Sequence, residues 1–285
     1  MTVAPATLRA TFLIGGDLVL DLLEVARGDL DLTDLIIVLA IVQANTDPIS
    51  ARADLQERFA AIGDLPPDEA RRHVNVTSVS ESTHIAFETV RRRVRDLVGR
   101  GVVEKGPEGL IVPARYLSSQ AHVAALEGAV ARLREALARL SELGLAPPGA
   151  GRIGPDRARV AARASSDYFL RMVAELGGIT GSAPAGLIFL SVVLMSPGPP
   201  RPVSMAQVAR ALRLDHSRVR RHVARLLAAG WLSKSKGGLV APSAVLKGAA
   251  MARLEVRALS HLRALFRRLG VSIGDRTAAA RPGPD

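Results

Sequence analysis

The feature that most limits how this chain can fold is that part of it occurs twice. Residues Val90–Leu117 and Val219–Leu246 align without a gap at a constant offset of 129, and eleven of the 28 positions are identical. Such a repeat means one structural unit built twice, each copy burying the same apolar positions. In the first copy Val90, Val94, Leu97 and Val98 recur at helical spacing and predict one core-facing stripe. On a neighbouring face Glu88, Arg91, Arg92 and Arg95 stand one helical turn apart, so their side chains project together. The second copy places Ser217, Arg220 and Arg221 on that face, with Ala224 in place of Arg95.

Both flanks of the repeat keep the same order. Val74-Asn75-Val76 and Val203-Ser204-Met205 align at the same offset, with Asn75 and Ser204 placed to cap a helix. A short helix through Val79 and Thr83, or Val208 and Leu212, turns at Ile85 or Leu214 and leads into the arginine helix, which is helix-turn-helix spacing. Gly101 and Gly230 suit the left-handed residue that closes a helix. Val102–Lys105 and Leu110–Val112, joined by Gly106-Pro107-Glu108-Gly109, then predict a β-hairpin, with Trp231–Lys234 and Leu239–Ala241 as its counterpart. The chain has only four lysines, and Lys105, Lys234 and Lys236 fall on these hairpins, where flexible cations neutralise phosphate.

Together, the two stretches resemble the winged helix-turn-helix of bacterial transcription regulators, closest in layout to the multiple-antibiotic-resistance-regulator (MarR) type. The expected fold class is mainly α with small β-hairpins (α+β): tandem winged helix-turn-helix domains with flanking long helices. The resemblance implies a dimer on a palindromic operator, often released by a small molecule. Double-stranded DNA is therefore the expected partner, with a small-molecule effector or RNA polymerase as further candidates and no membrane. This chain departs from that pattern by carrying two copies in one polypeptide, with short wings.

Outside the repeat unit, Asp17–Ala26 and Thr33–Ala44 read as helices, the second buried and capped by Thr33, with counterparts at Asp167–Leu176 and Ala183–Met195. Residues 1–10 read as loose. The first copy carries extra residues in Thr46–His73, where a helix over Ala51–Ile62 and a break at Leu65-Pro66-Pro67 are expected. That insertion reads as a surface loop, with partner or effector binding as the alternative. After each hairpin a long helix follows. In Ser119–Leu143 the residues Val123, Leu126, Val130, Leu133, Leu137 and Leu140 step by three and four, a seam that wants a partner helix, and Leu259, Leu262, Phe266 and Leu269 keep the offset. These two helices are expected to pair within one chain as a covalent pseudo-dimer, with pairing between chains as the alternative. The domain reading is a first repeat over 11–145 with an insertion at 46–73, a linker over 146–160, a second repeat over 161–272 and a disordered tail over 275–285.

Composition narrows the function. There is no cysteine, which removes disulfides, thiolate metal sites and cysteine nucleophiles together. The six histidines show no metal-ligand spacing, Gly15-Gly16 and Gly177-Gly178 lack a nucleotide-loop context, and no nucleophile elbow is present, so a non-enzyme without cofactor or metal is expected. The apolar runs Leu35–Val42 and Leu187–Met195 are too short to span a bilayer, and the N-terminus does not read as a signal peptide, which leaves a cytoplasmic, nucleoid location as the expectation. Net charge is +11, yet residues 1–70 hold more acidic than basic side chains, so the positive charge sits with the repeats. The expected DNA-binding residues are Glu88, Thr89, Arg91, Arg92, Arg95 and Lys105 in the first copy. In the second they are His216, Ser217, Arg218, Arg220, Arg221, Arg225, Lys234 and Lys236. The expected function is a sequence-specific transcription regulator whose two helices read a pseudo-palindromic or repeated site in adjacent major grooves. The alternatives are a protein-interaction scaffold of tandem winged helices or a plasmid or phage replication initiator.

Overall fold

The sequence offset is kept by the backbone. A computed structural model describes residues 4–147, 153–197 and 201–274. In the first half, α1 (Pro5–Arg27), α2 (Leu32–Ser50) and α3 (Ala53–Arg58) precede the repeated unit. That unit runs α4 (Val76–Thr83), α5 (Phe87–Gly99), β1 (Glu104–Gly106), β2 (Gly109–Ile111) and α6 (Ala114–Leu117), and leads into α7 (Gln120–Glu142). The second half runs α8 (Ala158–Thr180), α9 (Ala183–Met195), α10 (Met205–Leu212), α11 (His216–Ala228), β3 (Ser233–Ser235), β4 (Gly238–Val240), α12 (Ser243–Leu246) and α13 (Ala249–Arg268). From α4 to β2 every boundary recurs 129 residues later at α10 to β4. The fold is mainly helical with two small antiparallel hairpins.

The halves are joined by a bundle of four helices. α1 lies between α7 and α13, and α8 lies between the same two. The apolar seam of α7, with Leu133, Leu137 and Leu140 fully buried, therefore packs on α1 and α8. This corrects the expected pairing of α7 with α13: each long helix packs on the first helix of both copies, and those two first helices also pack on each other. At Gly15 the backbone meets Tyr168 of α8, whose hydroxyl donates to the Gly15 carbonyl at 2.9 Å, and a Cβ there would lie 2.5 Å from that oxygen. Gly16 is as tightly placed, against Leu190 of α9. The glycine pair is thus a helix-crossing contact.

Several expected boundaries move. Residues 5–10, read as loose, are the first turns of α1. The cap of α2 is Asp31, which accepts from the Asp34 backbone N–H, and Thr33 is inside the helix. α2 also continues past Ala44 to Ser50, through Pro48, which makes it long and apolar enough to cross a membrane by length and composition. Its extension has a local cause. Asn45, fully buried, donates to the carbonyls of Arg72 and Leu110 and accepts from the Val112 N–H, so the helix is held where the insertion returns to the hairpin. The helix expected over Ala51–Ile62 is only α3, and α8 begins inside the stretch read as linker. Residues 148–152 of that linker and the tail 275–285 lie outside the described residues.

Candidate nucleic-acid interface

Each repeated unit holds its arginine helix by the same local devices. Asn75 caps α4 through the Ser78 N–H at 2.8 Å, and Ser204 caps α10 in a reciprocal box with Gln207. Both short helices then end on a left-handed residue that is not glycine, His84 (φ 55°) and Arg213 (φ 46°). That conformation costs about 1 kcal/mol, so the packing of Val79 and Ile85, or Val208 and Leu214, must hold the turn. It aims α5 and α11 away from the core. Their undersides Val90, Val94 and Leu97, and Val219, Val223 and Leu226, are buried. Val98, expected in that stripe, is 38% exposed instead.

Both helices close in the same way. The Gly101 N–H donates to Val98 and the Val102 N–H to Leu97, and Gly230 and Trp231 repeat the pattern on Leu227 and Leu226. The hairpins keep register as well: Lys105 pairs with Leu110 and Lys234 with Leu239. A further bridge ties each hairpin to a single residue before α4 or α10, Val74 to Leu110 and Val203 to Leu239. Gly109 and Gly238 lie against it, where a Cβ would come within 2.7 Å and 2.5 Å of the Val74 and Val203 carbonyl oxygens.

Most of the expected contact residues are on the surface. Arg91, Arg92, Arg95 and Lys105, and His216, Ser217, Arg218, Arg220, Arg221, Arg225, Lys234 and Lys236, are exposed, whereas Thr89 is half-buried. Among the described residues Arg92, Arg95, Arg220, Arg221, Arg225 and the three lysines have no ion-pair partner. Arg91 is paired with Glu88 at 2.9 Å, one turn away on the same helix. Both are exposed, so this pair is worth little and yields readily to a phosphate. Ser217 and Arg218 turn toward Asp215, which caps α11 and whose carboxyl is held below the usual range by the Ser217 hydroxyl and the Arg218 N–H.

One cluster was not expected. Arg93 Nη1 lies 2.7 Å from an oxygen of Asp31, and Arg218 Nη1 lies 3.7 Å from the same oxygen. α5 of the first copy and α11 of the second therefore meet on the cap of α2. Arg27, buried at the end of α1, adds to this junction by donating to the carbonyls of Leu212 and Arg213, which close α10. Two arginine side chains that meet on one oxygen span about 20 Å between their Cα atoms at full stretch. Recognition helices that sit in successive major grooves are about 34 Å apart. In this arrangement the two helices are closer than that. The sequence pattern put the cap of α2 at Thr33, and that Asp31 would hold arginines of both copies was not legible, because nothing local encodes a contact across some 190 residues.

His222, at the repeat position of Arg93, is half-buried. Burial first, then Arg225, Arg221 and Arg218, lowers its pKa, and its Nδ1 has no hydrogen-bond partner. It contributes no charge to the face of α11. No protein-family model, curated protein or solved structure matches the chain.

Proposed function

We propose that the protein is a sequence-specific double-stranded DNA-binding transcription regulator, built from two winged helix-turn-helix units of the MarR type fused in one chain. The observation that carries this reading is a cationic helix face, repeated at a constant offset, whose arginines are exposed and largely without carboxylate partners. Arg92, Arg95, Arg220, Arg221 and Arg225 present bidentate donors suited to guanine O6 and N7 or to phosphate. Lys105, Lys234 and Lys236, exposed on the hairpins that follow these helices, are suited to neutralise backbone charge. The chain works in the cytoplasm, at the nucleoid, and needs no cofactor or catalysis.

The junction at Asp31 adds a condition. Helices closed on one carboxylate do not reach successive grooves, so the reading of two half-sites requires the second unit to swing off Asp31 when DNA binds. The Arg218 pairing is long and partly solvated, and breaking it costs under about 1 kcal/mol; the swing must also give up the buried Arg27 hydrogen bonds to the Leu212 and Arg213 carbonyls, which is the larger cost. The same closeness favours the rival reading, a docking scaffold whose arginine faces receive an acidic protein. Selection of bound sequences from a random duplex pool separates the readings. Two half-sites about 10 base pairs apart support the regulator in its opened form, and failure to enrich any duplex sequence supports the scaffold.

A further inference from the structure

The chain has six phenylalanines, and five of them are buried. The sixth, Phe87, is 44% exposed as the first residue of α5. The shared frame does not demand an apolar side chain there, because the second copy fills the same position with His216, also exposed. Beside Phe87 stands Glu88, which the second copy replaces by Ser217. Arg91 holds this carboxylate by one oxygen, with Nε at 3.1 Å and Nη2 at 2.9 Å from Oε2. The acid is thereby oriented, and Oε1 remains an acceptor on the exposed face.

A recognition helix touches base edges with its N-terminal residues. Phe87, Glu88 and Arg91 lie at that end of α5, and at 1.5 Å per residue they span about 6 Å, close to two base-pair steps. The major-groove edges decide which bases such a patch selects. A phenylalanine ring makes apolar contact with the C5-methyl of thymine, and a carboxylate accepts from the N4 amino group of cytosine, whereas guanine offers it only acceptors. An acid on a face that approaches phosphate lowers affinity for every duplex, so what it contributes is selection against wrong partners. At the same two positions the second copy has no apolar and no acidic side chain.

We propose that Phe87 and Glu88 are specificity-determining residues that make the first recognition helix select an adjacent thymine and cytosine, Phe87 on the thymine methyl and Glu88 on the cytosine amino group. The second helix, with His216 and Ser217 there, makes no such selection. The two half-sites therefore differ in the bases that face the helix N-termini. This assignment rests on the DNA-binding role proposed for the arginine faces, and it names the bases that the first of them takes.

The test uses the full chain and the duplex it selects from a random pool. Each thymine of that duplex is replaced in turn by deoxyuridine, which removes only the C5-methyl. At one thymine, in one half-site, affinity should fall about fourfold, as expected for one methyl group buried against the ring. That loss should disappear in Phe87→Ala and be partly kept in Phe87→Leu. At the neighbouring cytosine, exchange of the C·G pair for T·A should cost the native chain about fivefold or more and Glu88→Ala nothing. Glu88→Ala should also bind duplexes of unrelated sequence more tightly, because the acid has left the face. Both residues are exposed, and a cooperative melting transition shows that each variant is folded. A selected duplex in which no deoxyuridine effect depends on Phe87, or a cytosine preference that survives Glu88→Ala, would overturn the assignment and leave DNA binding standing. A pool in which no sequence is enriched would remove the DNA-binding role and the assignment with it.

Discussion

The two copies share one backbone frame from the capped short helix to the hairpin, and differ in the charges it carries and in how each is filled on its inner side. From α4 to β2 and from α10 to β4 the caps, the left-handed turn, the glycine closure and the hairpin register recur position by position. The charges on that scaffold do not recur. In the first copy Glu88 pairs with Arg91, Arg93 is drawn to Asp31 and Asp34, and Glu108 sits on the hairpin tip beside His73. In the second, Ser217 replaces Glu88, an uncharged His222 replaces Arg93, and the hairpin carries Lys234 and Lys236 with no acid. One frame thus presents two surfaces, and the second is the freer cation. On the inner side the first copy has an insertion, a histidine and a cavity where the second has Met251 and Leu254.

The comparison breaks most severely at the joint that makes the copies one body. Tyr168 fills the crossing of α8 over Gly15 and is fully buried. Tyr168→Ala should cost about 3–5 kcal/mol of unfolding free energy, measured by urea denaturation, with both halves unfolding in a single transition. Two separate transitions would mean the copies are independent.

Next in size is the contrast between arginine faces. Arg220→Ala with Arg221→Ala should weaken duplex binding by about 1–3 kcal/mol for each base the helix no longer reads. Arg91→Ala with Arg92→Ala should do less, since Glu88 on the same face repels phosphate where the second copy has Ser217. Footprinting of both double variants at one salt concentration ranks them, and an equal or reversed order would show that the first copy leads.

The inner difference titrates. Burial, then Arg159, holds the His122 imidazole down at about 4 in the folded chain, whereas the unfolded chain takes up the proton near 6.5. Below that pH the unfolded state holds the extra proton, so the stability His122 contributes is full above about 6.5 and is lost as pH falls toward 4. Between pH 7 and 5 the native chain should lose about 2 kcal/mol more than His122→Leu does, read from urea midpoints. Met251 occupies the same place in the second copy and should show no such dependence.

The smallest contrast is at the helix caps. Asp215 caps α11, but Ala86 stands before α5 with no side-chain cap. Asp215→Ala should cost about 1 kcal/mol, and Ala86→Asp should return a similar amount to the first copy. Urea midpoints for the two variants check both signs.

What the sequence made legible was local. The offset, the helix undersides at Val90 and Val94, the closures at Gly101 and Gly230 and the caps at Asn75 and Ser204 rest on periodicity and backbone conformation, which short stretches encode. Partners across the fold were not legible. The seam of α7 announced that it needed a neighbour, but that α1 and α8 would be the ones to cover it depends on how the two halves pack. Thr33 read as the cap of α2 in place of Asp31, and the insertion read as a surface loop. Only the packing of the two halves makes Asp31 a junction for Arg93 and Arg218 and brings the insertion's carbonyls to Arg159 and Arg163.

Whether the repeated cationic face meets a duplex is tested most directly by measuring duplex affinity of the full chain as salt is raised. Each phosphate neutralised releases counterions, so log affinity should fall linearly with log salt, with a slope of about −0.9 per phosphate neutralised. The expected slope is steep and becomes shallower when Lys234 and Lys236 are replaced by alanine. Duplex affinity that is absent at low salt, or a slope unmoved by those two substitutions, would contradict a DNA-binding role for this face.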